Sequence, residues 1–97
     1  MIVGVGRIVL RLAENNSLKG KRRVVKAIKD RVAHHHRAAV AEVADQDLWQ
    51  QAVIGLAVVG NDSAQVNSRL DKIVDFVESL HLAEVLDAEL EIIHFSD

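Results

Sequence analysis

Ile2–Leu12, IVGVGRIVLRL, and Ser17–Val32, SLKGKRRVVKAIKDRV, decide the fold, because the apolar period changes between them. In the first, Ile2, Ile8, Leu10 and Leu12 share one face, and Val3, Val5, Arg7, Val9 and Arg11 share the other, the alternation of a strand. Gly4 and Gly6 fall on the apolar face, where a missing side chain lets a helix approach closely. A phosphate-binding G-x-G ends a strand and opens a helix, whereas the strand pattern here continues through both glycines. In the second segment Val24, Val25, Ile28 and Val32 recur at helical spacing, with Leu18 at the edge and Ser17 as N-cap.

Working outward, Glu14, Asn15 and Asn16 form the turn between these two elements. Ala38–Val43 reads as a short second strand, and Ala52–Val59, apolar on both faces, as a third strand in a sheet interior. Gly60, Asn61, Asp62 and Ser63 break the chain, and Asp62 with Gln65 fits a capping box for a second helix. Its buried stripe is Val66, Leu70, Ile73, Val74, Val77 and Leu80. In the last segment Leu86, Ala88, Leu90 and Ile92 alternate with Asp87, Glu89, Glu91 and Ile93, giving a final strand with an acidic outer face. The order strand, helix, strand, strand, helix, strand predicts a ferredoxin-like α+β sandwich, a four-stranded antiparallel sheet with both helices on one face. The last strand then lies beside the first, so Arg7 and Arg11 are expected to pair with Glu89 and Glu91. Val3, Val5, Val9 and Ile93 would leave an apolar patch on the open face, suited to a second copy of the chain.

The 97 residues are expected to form one domain, residues 1–97, with a single modest core. No cysteine is present, which removes disulfides, thiolate metal sites and a cysteine nucleophile together. Arg7 and Arg11 interrupt the first apolar run, so neither a signal peptide nor a membrane span is expected, and the chain reads as cytoplasmic. The net charge of −2 conceals an asymmetry. Residues 1–43 hold ten lysines and arginines against Glu14, Asp30 and Glu42, whereas residues 44–97 hold Arg69 and Lys72 against eleven acids. Separation of that kind suits a polyanion or a second copy, unless the halves neutralise each other within the fold.

The first helix puts Lys19, Lys21, Arg22 and Arg23 in its opening turns, where the positive end of the helix dipole disfavours cations by about 0.3–1 kcal/mol each. A local rule broken in this way tends to mark function. Ser17, Lys19, Lys21, Arg22, Arg23, Lys26 and Lys29 are therefore the candidate site for a phosphate-bearing partner, RNA or a ribosomal subunit. Asp30 offsets Lys26 at i,i+4 spacing and is the helix's only acid. His34, His35 and His36 suit a helix C-terminus, and adjacent side chains about 100° apart are poorly placed to share a metal. Trp49 is expected to plug the hairpin between the second and third strands, with a contact surface as the alternative. Glu42, Asp47 and Trp49 form a secondary candidate site. Glu42, Asp45 and Asp47 are the carboxylates an enzyme or metal site would use. No cofactor and no catalytic residue is assigned, and a self-assembling scaffold is the other alternative.

Four segments carry a family resemblance: Ser17-Leu18-Lys19-Gly20-Lys21-Arg22-Arg23, Ala41-Glu42-Val43, Gln46-Asp47-Leu48-Trp49-Gln50 and Asn61-Asp62. Together they resemble the YlxP-like family of small bacterial proteins over nearly the whole chain. The resemblance implies a ferredoxin-like fold with no established biochemical activity, and a ribosome or RNA connection through neighbouring genes. The chain departs from the family pattern at Gly20 and Ala44, where acidic residues are common. The first departure makes the helix start more basic, and the second weakens a carboxylate metal site at residues 42–47.

Overall fold

The computed structural model describes residues 1–96. The elements are β1 (Ile2–Arg11), α1 (Leu18–His36), β2 (Ala39–Ala44), β3 (Gln51–Gly60), α2 (Ser63–Ser79) and β4 (Glu84–His94). The strands form one antiparallel sheet in the order β2-β3-β1-β4, the ferredoxin-like arrangement. Among the described residues no helix is long and apolar enough to cross a membrane.

Both helices cover the same face of the sheet. α1 lies over β2 and beside α2, and α2 packs on β1, β3 and β4. The core joins Ile8, Leu10 and Leu12 with Ala52, Ile54, Leu56 and Val58 beneath Val25, Ile28 and Val32 of α1 and Val66, Leu70, Ile73 and Val77 of α2. Each of the larger side chains contributes about 1.5–3 kcal/mol by leaving water. Gly4 admits α2 as its place in the strand implies, since a Cβ there would lie 2.6 Å from Val66 Cγ1 and 2.9 Å from Leu70 Cδ1. Gly6 works differently. The space above it is filled by Leu56 and Leu90 from the flanking strands and not by a helix.

Two register shifts change which residues face the helices. In β4 the register passes from Val9↔Asp87 to Leu10↔Val85, so Leu86 is the extra residue of a bulge. Leu86 is consequently 47% exposed, and Val85 takes the inward position expected of it. In β2 the shift between Glu42 and Ala44 leaves Val43 as the extra residue, 52% exposed, with its Cγ1 over Gly55. Arg7 pairs with Glu89 at 2.7 Å as expected. The same antiparallel register puts Glu91 opposite Val5, and beyond the bulge Arg11 lies opposite Glu84, so the expected Arg11–Glu91 pair does not form.

The C-terminus of α1 is fastened to α2. Arg37 adopts the left-handed conformation, φ 51°, and its N–H donates to Ala33 O. His35 and His36 set their rings 5.1 Å and 4.8 Å from that of Phe76. Arg69 donates to Val59 O at 3.0 Å and to His36 O at 3.5 Å. Desolvation, reinforced by His35, Arg69 and Lys72, holds the His36 imidazole below its ordinary pKa of 6.5. The unfolded chain therefore binds this proton more readily than the folded one. Stability from this group is complete above the ordinary value and is lost as pH falls through it toward the lowered folded value. Urea unfolding measured from about pH 7 down to about pH 5 should show that loss, and His36→Gln should flatten it.

Candidate functional site

α1 opens at Ser17, whose extended backbone and hydroxyl oxygen cap the helix by accepting from Gly20 N at 3.0 Å. Ser17 is thus the N-cap expected of it. Gly20 leaves room for the Asn15 side chain against the helix. A Cβ at this position would sit 2.3 Å from Asn15 Oδ1. The Asn15 amide uses that space to donate at once to Ser17 O and to Trp49 O, joining the start of α1 to the β2–β3 loop.

Lys21 is not on the basic surface. It is 1% exposed and continues the buried stripe of Val25, Ile28 and Val32 one turn toward the N-terminus. Its ammonium lies 3.0 Å from Glu42 Oε2 and donates to Asp45 O. Glu42 Oε2 receives no aligned hydrogen bond, so charge joins the pair while the directional bond goes to the loop carbonyl. The register settles the direction of Glu42, which the short strand left open. Opposite Ile54 on the inner face of the sheet, it points toward α1. A buried ammonium costs several kcal/mol to desolvate unless it is paired, so Lys21 must be counted with the interior and not with the phosphate contacts.

The remaining cations do line the outside. Lys19, Arg22, Arg23 and Lys26 are exposed and Lys29 is half-buried. Only Lys26 is paired, to Asp30 at 2.6 Å; among the described residues the other four make no ion pair. No acid stands in the first turn to offset them.

Trp49 does not plug the hairpin. It is 53% exposed beside Leu48 at 49%. Its loop is nevertheless held firmly. Leu12 N donates to Gln50 O at 2.8 Å, Gln50 Nε2 to Asn15 O at 3.1 Å, and Leu48 N to Asp45 O at 3.0 Å. Asp45 takes a left-handed backbone, φ 61°, and its carboxylate accepts from Gln51 at 2.7 Å. Glu42, Asp45 and Asp47 therefore do not converge. The first is paired beneath α1, the second is bound to Gln51 and the third is exposed. Among the described residues no three histidine, aspartate or glutamate side chains are grouped to hold a metal.

Helical spacing could have found Lys21, because positions 21, 25, 28 and 32 form one stripe. The exposure of Trp49 had no signal in the sequence. Removing one partner of a buried pair leaves the other uncompensated, so Lys21→Ala should lower stability by about 2–4 kcal/mol, moderated by the 18% exposure of Glu42. Lys21→Met/Glu42→Gln should recover part of that loss. Urea titrations followed by far-UV circular dichroism would measure both, with an equal loss in the single and double variants counting against the pair.

The described geometry has known relatives. A family model described as "Protein of unknown function (DUF503)" matches residues 3–90. A Bacillus subtilis (strain 168) protein described as "Uncharacterized protein YlxP" is 30% identical over 78 residues, covering 80% of this chain and 85% of that one. Two solved structures share the fold at low identity. The de novo designed protein Foldit4 has a TM-score of 0.53 at 14% identity, covering 99% of this chain and 100% of its own. A REP-associated tyrosine transposase bound to a REP hairpin has a TM-score of 0.50 at 11% identity, covering 97% of this chain and 57% of its own. The capped basic helix, the Glu42 strand and the Trp49 loop thus belong to a chain that is a member of the YlxP-like DUF503 family of proteins of unknown function.

Proposed function

We propose that this protein is a nonenzymatic accessory protein that binds RNA, or a ribosomal subunit through its RNA, along the outer face of α1. The observation that carries the reading is the row of exposed cations at the wrong end of a helix dipole. Lys19, Arg22 and Arg23 have no acidic neighbour in the first turn and no ion-pair partner among the described residues. An isolated fold gains nothing from that arrangement, whereas a phosphate chain laid along the helix relieves it. Contacts of this kind position an RNA but carry little sequence information. The central strands β1 and β3 contain no aromatic residue on which bases could stack, so the sheet is not the RNA-binding surface.

A second observation favours self-association. The face of the sheet away from the helices carries Val3, Val5 and Val9 of β1, Ala57 and Val59 of β3, and Ile93 of β4. Val59 is 58% and Ile93 41% exposed, with Val43 beside them. The occupant that the surface fits is a second copy, leaving both α1 helices free on the outside.

Arg22→Glu/Arg23→Glu should abolish co-sedimentation with ribosomal subunits and binding to generic RNA, and wild-type affinity should fall steeply with salt. Unchanged binding by the folded double variant would refute the helix reading. Val5→Lys should convert a two-chain species to single chains in sedimentation equilibrium, and a wild-type mass of one chain at high protein concentration would dismiss the interface.

A further inference from the structure

We propose that the β2–β3 loop is a stacking platform for one unpaired base of a single-stranded RNA, with Trp49 taking the base and Arg11 the adjoining phosphate. The inference rests on the RNA-binding reading above and narrows it from RNA in general to single strands.

Exposure of a tryptophan is informative only when the chain around it is fixed. Here the C-terminal end of the loop is tied to the segment that precedes α1. Asn15 bridges Ser17 O and Trp49 O, Gln50 Nε2 donates to Asn15 O, and Leu12 N donates to Gln50 O. From below, the buried Lys21 ammonium holds Asp45 O, the same carbonyl that accepts from Leu48 N. Trp49 and Leu48 are thus presented by a rigid frame, and a preordered platform loses little conformational freedom when something covers it.

The surroundings select the chemistry of the ligand. Leu48, Trp49, Gln50, Gln51 and Arg11 line an open cavity of about 590 Å³, and Arg11 is its one charged residue. Arg11 makes no ion pair among the described residues. A flat indole beside an unpaired guanidinium offers a face for a base and a donor fork for a phosphate oxygen. The larger cleft on the other side of Arg11, about 840 Å³, also contains Glu14, Glu78 and Glu84, together with Arg23. Arg23 gives that cleft a cation beside its three carboxylates, whereas the Trp49 side of Arg11 holds no carboxylate at all. The basic face of α1 begins at Lys19, and Asn15 links the start of that helix to the Trp49 backbone, so one strand can meet both.

A paired and stacked base offers no free face to an indole, which is why the platform accepts a single strand and not a duplex. Little base preference is expected. The Gln50 amide N–H groups are directed to Ala13 O and Asn15 O, and Gln51 donates to the Asp45 carboxylate, so these donors already hold the loop.

Trp49 is the sole tryptophan, so its fluorescence reports this site alone. The full chain is titrated with a labelled single-stranded RNA of about 12 nucleotides, without self-complementarity, and with a duplex of equal length. Anisotropy reports binding and tryptophan quenching reports stacking. The single strand should quench Trp49 with the same midpoint as the anisotropy change, and the duplex should not quench it. Trp49→Ala should weaken single-strand binding by roughly 5- to 100-fold while leaving duplex binding unchanged, and Trp49→Phe should keep most of the affinity. Arg11→Gln should reduce the salt slope by about one contact. Binding lost in Arg22→Glu/Arg23→Glu but accompanied by no quenching, and equal in Trp49→Ala and wild type, would overturn the platform and leave the helix reading standing. No anisotropy change with either RNA would overturn both. Thermal melts of the variants show whether a loss of binding is a loss of fold, and the wild-type quenching result does not depend on any variant.

Discussion

The ion pair between Lys21 and Glu42 is the contact on which the candidate site depends. It joins three pieces of chain distant in sequence: the first turn of α1, the middle of the edge strand β2, and through Asp45 O the loop that carries Trp49. Pairs of this kind seldom add much net stability, because the desolvation of two charges offsets most of their attraction. Their effect is on geometry. An apolar residue at position 21 could fill the same space, but it could not accept a defined partner on β2 or fix a carbonyl in a surface loop. With Lys21 in place, the start of α1, the edge of the sheet and the loop form one rigid corner, and the Asn15 and Gln50 bonds complete it from outside.

Legibility followed the strength of the local signal. The two helices were readable because their stripes, Val25–Ile28–Val32 and Val66–Leu70–Ile73–Val77, and their caps, Ser17 and Asp62, agree with one another. The sheet order followed from the order of elements, and Gly4 correctly announced the approach of α2. What could not be read were shifts of a single residue. Strict alternation put Leu86 inward with Ala88, and only the pairing of β4 with β1 shows a bulge there. The same limit hid the direction of Glu42, because β2 is six residues of mostly small side chains with nothing to fix its register.

The site was legible in part, and for a reason that can be named. Lysine is a surface residue by default, which sets Lys21 beside Lys19, Arg22 and Arg23, although its position four residues before Val25 places it on the buried stripe. Trp49 failed in the opposite direction. Tryptophan is buried by default, and the network around its loop uses the Asn15 and Gln50 side chains with the Ala13, Asn15 and Trp49 carbonyls, contacts of the folded chain that no local pattern encodes.

The charge asymmetry of the chain is now given a direction in space. β2 and β4 are the two edges of the sheet, three strand spacings or about 14 Å apart. α1, with its exposed cations, lies over β2, whereas Asp87, Glu89 and Glu91 stand on β4. That separation exceeds the Debye length of about 8 Å at physiological salt, so the two groups do not neutralise each other through solvent. Among the described residues the one ion pair between the basic and acidic halves is Arg7–Glu89, and it lies between neighbouring strands on the open face, not on α1. The fold therefore sets the cations over β2 and the carboxylates of Asp87, Glu89 and Glu91 at opposite edges of the sheet. On the proposed RNA reading, the β2 edge, with α1 and the corner fixed by Lys21, is therefore the side from which a polyanion would approach.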